Sequence, residues 1–239
     1  MRFSFCGTGF IFPTHLKAIQ EVGGEIVGLN TNEDCVSILT PNHLHYEHIR
    51  KYQDKKYVLC EKPLTINAKQ CRELPDNVYT VMQLRYHPLL KEIEVKDFNE
   101  IEMDISVYRD DKYHNGWKGN VKKSGGIIFN LGIHYFDILF QLFGKPTSAS
   151  CEIIGRVAQG VIKGDKYNCI FRLSTDEKLG NQRRVFKVNG KEYNFSAKEN
   201  LAYENLHKYV YQDLINGNGV KAKDVAWLIS FIEKLSSPQ

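Results

Sequence analysis

Three short segments of this 239-residue sequence carry side chains whose type and spacing suit chemistry. Cys60-Glu61-Lys62-Pro63 follows an apolar run, Tyr57 to Cys60, that reads as a buried strand. A lysine there stands at the carboxyl end of a parallel strand, where open α/β sheets bind ligands, and desolvation would aim its ammonium at a substrate oxygen. The Lys62-Pro63 bond is a candidate cis peptide, because proline cuts the trans preference to about 1 kcal/mol or less. Alone, the tripeptide is read more simply as an exposed Glu-Lys pair before a loop proline. His134 and Asp137 lie three apart in the apolar stretch Gly126 to Phe143, hence on one face of a helix. A carboxylate beside an imidazole fixes its tautomer and raises its basicity, which makes a general-base pair; a satisfied structural pair has the same spacing. Gly7-Thr8-Gly9 closes the first apolar strand, so backbone amides there could approach a pyrophosphate at a helix N-terminus. A plain turn between strand and helix fits those glycines as well, and the third small position of the dinucleotide fingerprint is here Phe12.

The elements that must hold these groups follow from periodicity. Strands are expected at Arg2 to Cys6, Glu25 to Leu29, Cys35 to Leu39, Tyr57 to Cys60 and Val78 to Leu84, with helices at His15 to Val22 and His43 to Tyr52. Strands and helices alternating in this way imply a parallel sheet. From about residue 100 the texture changes to in-out alternation, with Met103, Ile105 and Val107 on one side and Asp104, Ser106 and Tyr108 on the other. A boundary near Pro88 therefore separates a shortened Rossmann-like domain, 1–88, from an α+β domain, 89–239, with a mostly antiparallel sheet covered by helices on one face. The second domain is expected to continue with a helix Gly126 to Phe143 and strands around Ile153 to Ala158, Tyr167 to Leu173 and Val185 to Phe195. Asn189-Gly190 turns the last into a type I′ hairpin. Two helices, Leu201 to Ile215 and Ala222 to Leu235, close the chain.

Composition narrows the function classes. Lys plus Arg number 32 against 28 Asp plus Glu, a net charge of +4 that suits a phosphate-bearing small ligand and falls short of a nucleic-acid footprint. The six cysteines are scattered without a metal or disulfide framework, no targeting segment opens the chain, and Gly126 to Phe143 carries too many polar groups for a membrane span. A cytoplasmic protein that binds neither nucleic acid, membrane nor metal is the expectation.

The motifs in this order resemble the glucose-fructose oxidoreductase and inositol dehydrogenase (Gfo/Idh/MocA) family of NAD(P)-dependent sugar dehydrogenases. The resemblance extends through Gly9 to Ile19, Thr40-Pro41-Asn42-His43-Leu44-His45, Tyr79 to Pro88 with Gln83 and Arg85, and Trp117 to Gly126. Within the family these segments are similar to UDP-2-acetamido-2-deoxyglucuronic acid 3-dehydrogenases, which oxidise the sugar's 3-hydroxyl with NAD. The resemblance implies that Lys62 hydrogen-bonds the reacting hydroxyl, that His134 takes its proton, and that Asp137 orients His134. It implies cofactor contacts from Gly7, Gly9, Phe10 and Ile11 to the phosphates, and from Asn30, Thr40, Pro41, Asn42, His45, Glu61 and Gln83 to the rest of NAD, with NADP left open. Arg85, Lys118 and Asn130 would hold a UDP-sugar, whose diphosphate and carboxylate charges call for cationic groups. The family also implies a homo-oligomer, dimer or tetramer; Met103, Ile105, Val107, Cys169 and Phe171 either face that partner or pack on this chain's own helices.

Three features depart from the pattern. Only Asn30 to Asp34 separate the second and third strands, where a family domain needs a helix, strand and helix, so the second strand must be paired differently, shortened, or not a strand at all. Asn30 replaces the acidic residue that accepts both ribose hydroxyls, at a cost of order 1 kcal/mol. Phe12 would crowd the pyrophosphate turn. Retained chemistry with a thinned cofactor face is one outcome; a cofactor-poor relative that binds a sugar nucleotide as a scaffold or partner subunit is the other.

Overall fold

The computed structural model describes residues 1–196 and 203–236. In chain order it has Arg2–Cys6 (β1), Phe12–Glu21 (α1), Glu25–Ile26 (β2), Cys35–Ile38 (β3), His45–Tyr52 (α2), Tyr57–Cys60 (β4), Ala68–Arg72 (α3) and Val78–Thr80 (β5). Asn99–Ser106 (β6), Asp111–Asn115 (α4), Val121–Ser124 (α5), Ile133–Phe143 (α6), Pro146–Ile154 (β7), Val157–Gly164 (β8), Tyr167–Ser174 (β9), Arg183–Val188 (β10) and Lys191–Asn194 (β11) follow. His207–Ile215 (α7) and Ala222–Ser236 (α8) close the chain; the expected start of the first of these helices, Leu201, lies outside the described residues. Two compact units result, Met1–Tyr86 with Leu201–Glu233 and His87–Asn200 with Lys234–Gln239. The first unit thus takes back most of the closing helices that a simple division at residue 88 assigns to the second.

In the first unit five parallel strands run in the order β2-β1-β3-β4-β5. Phe3, Cys35, Leu59 and Tyr79 from the sheet form one buried cluster with Ala18 and Ile19 of α1 and Val210, Tyr211 and Leu214 of α7. The missing helix, strand and helix are accommodated by register. β2 ends at Ile26 and β3 begins at Cys35, and both residues pair with Phe3. The connection 27–34 therefore crosses a single strand, about 10 Å at ordinary strand spacing, well within the ~26 Å that eight residues can span. β2 is shorter than the five residues expected, and both of its residues are exposed. Side chains tie the crossing loop down: Glu33 accepts from Asn30 N–H and from Lys55 Nζ at 3.2 and 3.0 Å, and Asp34 accepts from Arg2 N–H at 2.8 Å. Phe12 does not crowd the glycine turn as expected; its ring stands edge-on to Phe5, centroids 4.9 Å apart.

The second unit is built on a six-stranded sheet, β11-β10-β6-β9-β8-β7, antiparallel throughout except for β6 beside β9. Asn189 and Gly190 both have positive φ, 51° and 85°, as the type I′ turn requires. A strand around Ile153 to Ala158 is not what forms: Gly155, at φ 58°, and Arg156 turn β7 into β8, and the exposed edge strand β7 begins at Pro146. The helix expected from Gly126 is present and contains a π-turn, Ile128–Gly132, before α6. The 121–143 stretch is long and apolar enough to cross a membrane by length and composition, yet it is mostly buried as a core helix. Gly132 permits its approach to the sheet, since a Cβ there would stand 2.8 Å from Leu173 Cδ1. Met103, Ile105, Val107, Cys169 and Phe171 are all buried inside this chain, with Phe171 edge-on to Phe136 of α6. These five side chains are core, not an outward face.

Candidate active site

Parallel strands deliver their carboxyl ends to one edge, and in the first unit that edge carries most of the expected groups. Leu39 N–H donates to Cys6 C=O, Glu61 N–H to Ile38 C=O and Val81 N–H to Cys60 C=O, each at 2.8–3.0 Å, which extends the ladder past the last strand residues. Immediately beyond stand the Gly7-Thr8-Gly9 turn, Thr40-Pro41-Asn42, Glu61-Lys62 and Gln83. Gly7 has φ 100°, and a Cβ on it would sit 3.0–3.1 Å from Thr40 Cγ2 and the Leu39 carbonyl, so only glycine fits. At Gly9 a Cβ would meet nothing within 4 Å, so the turn is open to a ligand. Ile11 precedes α1, whose N-terminus has no side-chain cap; Phe12 N–H instead donates to Gly9 C=O at 3.0 Å, Pro13 has no N–H, and Thr14 N–H donates to Ile11 C=O at 3.1 Å. Phe10 projects with 88% of its surface exposed.

Lys62 is half-buried on the turn after β4, and its bond to Pro63 is cis. Gln83 is buried on a 3-10 turn just after β5, and its Oε1 has no hydrogen-bond partner among the described residues. Arg85 is half-buried on the same turn, and Asn42 is buried. Thr40 Oγ1 bonds His48 Nδ1 at 3.0 Å. His45 was expected to line the cofactor, but it is fully buried, with Nδ1 2.7 Å from Pro63 C=O and Nε2 2.8 Å from Thr40 C=O. Burial lowers its pKa against the pull of those carbonyls, so a neutral ring donates to one at a time. His45 is a brace behind the site that links Thr40 to the Lys62-Pro63 turn. Asn30, at φ 62°, lies in the exposed loop after β2.

Glu61 belongs to a buried network that residue patterns did not reveal. His15 Nε2 lies 2.9 Å and His207 Nε2 3.5 Å from its Oε1, and Lys62 N–H donates to Oε2 at 3.2 Å. Burial alone would push the carboxyl up, but hydrogen bonds from the histidines, that of His15 foremost, hold Glu61 well below the usual carboxylate range. Burial pushes His15 down, against the pull of Glu61, so the neutral ring donates Nε2–H to the carboxylate. Its Nδ1 then accepts from Tyr211 O–H at 2.7 Å, and Tyr211 oxygen accepts from Ser37 O–H at 3.0 Å. One ligand atom from each of His15, Glu61 and His207 lies within 4.8 Å of the others, a spacing that would also suit a divalent ion. The legible signal was a polar residue on an apolar stripe: His15 shares its helix face with Ala18 and Ile19, and His207 and Tyr211 share theirs with Val210 and Leu214.

In the second unit His134 and Asp137 are both buried on the first turns of α6, three residues apart. Asn130 lies in the π-turn just before them and donates Nδ2–H to Lys118 C=O at 3.2 Å. Lys118 Nζ stands 5.7 Å from the ring centroids of both Tyr113 and Trp117. Gly119 is forced in this loop, because a Cβ would fall on His114 C=O. π-turns of this kind often mark functional sites.

Known proteins share this architecture. A family model described as an oxidoreductase family with an NAD-binding Rossmann fold matches residues 29–79, and the Gfo/Idh/MocA C-terminal domain matches 89–177. An uncharacterized oxidoreductase of Streptococcus pneumoniae is 29% identical over 182 residues, 66% of this chain and 49% of that protein. scyllo-Inositol 2-dehydrogenase (NADP(+)) IolW of Bacillus subtilis is 26% identical over 139 residues, 52% of this chain and 38% of its own. The matches therefore span about half or less of these relatives' length. The WlbA (WbpB) dehydrogenase of Thermus thermophilus, solved in complex with NAD and UDP-GlcNAcA, superposes with a TM-score of 0.87 at 28% identity, covering 100% of this chain and 95% of that one. The two matched domain models together span more than half of the chain, which belongs to the Gfo/Idh/MocA oxidoreductase family.

Proposed function

We propose that this protein is a cytoplasmic NAD(P)-dependent dehydrogenase acting on the 3-hydroxyl of a UDP-linked N-acetylated amino-uronic acid, as a homo-oligomer. The observation that carries the reading is its likeness over the whole chain to a Thermus enzyme solved with NAD and UDP-GlcNAcA. The first unit fits the phosphate and nicotinamide parts of such a cofactor: a glycine turn no Cβ disturbs at Gly9, and a buried Gln83 oxygen awaiting a donor. NAD, when bound, supplies the hydride acceptor. Lys62 donates a hydrogen bond to the reacting oxygen and stabilises its negative charge, while His134 accepts the hydroxyl proton and Asp137 holds His134 in the right tautomer. Gly7, Gly9, Phe10, Ile11, Thr40, Pro41, Asn42 and Glu61 form the cofactor wall, and Arg85, Lys118 and Asn130 hold the sugar nucleotide.

The test is absorbance of reduced cofactor at 340 nm with UDP-2-acetamido-2-deoxyglucuronic acid as substrate. Lys62→Ala and His134→Ala should each lower kcat by about 10²–10⁴; two variants near wild-type speed would overturn these roles. The shortened β2 favours one second reading, a relative that binds a sugar nucleotide without turnover. Calorimetry separates the two, because the second requires sugar-nucleotide binding with none of NAD or NADP at millimolar concentration.

A further inference from the structure

We propose that the cofactor site reads only the nicotinamide and phosphate half of its ligand, so that NAD, NADP and nicotinamide mononucleotide are held with similar strength. The inference rests on the dehydrogenase reading above and concerns which part of the cofactor that site can recognise.

In a doubly wound sheet the adenosine ribose is read by an acidic side chain at the carboxyl end of the second strand, level with the glycine turn. Here β2 ends opposite Phe3, three residues before β1 ends at Cys6. Asn30 stands in place of the acid, its backbone bent to φ 62° and its N–H held by Glu33. The two carboxylates that follow are engaged elsewhere. Glu33 is buried against Lys55, and Asp34 holds both the N–H and the guanidinium of Arg2, at 2.8 and 3.7 Å.

The same pairs occupy Lys55 and Arg2, the cations bound to this loop, so neither is left to favour a 2′-phosphate. Residues 28–32 are exposed throughout, and no helix or strand lies between β2 and β3 to wall an adenine ring. A site with only the neutral Asn30 amide to accept from the 2′-hydroxyl, and no cation left for the 2′-phosphate, barely tells NAD from NADP, and one without an adenine wall gains little from the adenosine. The opposite half is built. Gly7 fits the turn only as glycine, Gly9 leaves it open, and Gln83 offers a buried acceptor.

Competition binding with the intact protein decides the matter, using NADH, NADPH, reduced nicotinamide mononucleotide and ADP-ribose. The inference expects the three nicotinamide ligands to bind within about tenfold of one another and ADP-ribose to bind more weakly than any of them. A preference above that factor for NADH over NADPH, or for either over the mononucleotide, would overturn it while leaving the dehydrogenase reading standing. Failure of all three to bind at millimolar concentration would instead remove the dehydrogenase reading, and the inference with it.

Discussion

Tyr211→Phe probes the network beneath the Lys62 turn by deleting one oxygen and nothing else. The hydroxyl lies wholly inside the first unit, 2.7 Å from His15 Nδ1 and 3.0 Å from Ser37 Oγ, and it joins α7 to α1 and β3. Its removal deletes two buried hydrogen bonds, each worth a net ~1 kcal/mol, and strands polar atoms on His15 and Ser37. The ring itself stays in place, edge-on to Phe3 with centroids 5.3 Å apart, so no large cavity adds to the loss. A destabilisation of about 2 kcal/mol follows, or a fall in Tm of roughly 4–8 °C for a chain of this size. Calorimetry on Tyr211→Phe, Ser37→Ala and the double variant measures both the loss and the coupling. Partners in one chain of hydrogen bonds should deviate from additivity by more than ~0.5 kcal/mol. A Tm within a degree of wild type, or strictly additive single changes, would refute the network.

Three other outcomes follow from the same contacts. Gly7→Ala should cost about 1–3 kcal/mol by urea titration, because it meets Thr40 and Leu39 as well as an unfavourable φ; Gly144→Ala, at φ 91° with nothing within 4 Å, isolates the backbone part. Stability should fall as pH drops below the ordinary imidazole value of 6.5, since burial lowers the folded pKa of His15 and His45 and the unfolded chain then binds protons the folded one does not. Each histidine steepens the curve by at most about 1.4 kcal/mol per pH unit, and denaturant midpoints between pH 7 and pH 5 read the slope. Glu33 acts lower on the scale: burial would raise its pKa, but hydrogen bonds and Lys55 hold it below 4.5, so its stabilisation is present above that value and is lost as pH falls through the folded pKa. Glu33→Gln should therefore flatten the acid limb of the stability curve and loosen the 27–34 crossing, seen as faster amide exchange at Asn30.

What the sequence made legible sorts by how local its cause is. Cys35 to Ile38 and Tyr57 to Cys60 announce themselves because strands covered on both faces are continuous apolar runs, and Asn189-Gly190 because two successive residues with positive φ are rarely anything but a hairpin turn. His134 and Asp137 fall on one helix face through three-residue spacing alone, and the π-turn ahead of them leaves that spacing unchanged. Pro146 to Glu152 escaped notice because an exposed edge strand needs no apolar alternation; its small polar residues form a strand only because β8 offers a ladder. The face of Met103, Ile105 and Phe171 could not be oriented by period-two alternation, which groups residues on a side without saying which side is inward. His45 is ambiguous in sequence for a related reason: a histidine beside a ligand and a histidine bracing the loop behind it occupy the same position in a motif.

The register at Phe3 explains why losing a helix, strand and helix leaves the Lys62 turn in order. β3 pairs with β1 and β4 pairs with β3, both independently of β2, so the ladder from Cys6 through Ile38 to Cys60 is complete whether or not the outer strands are present. Removing the outer elements thins only the margin beyond β1, and the carboxylates of Glu33 and Asp34, fixed to Lys55 and Arg2, close that margin with side chains in place of secondary structure. The shortening and the chemistry thus lie on opposite sides of β1. For that reason a change that would ruin a centrally paired sheet here alters, at most, which end of a ligand the protein can hold.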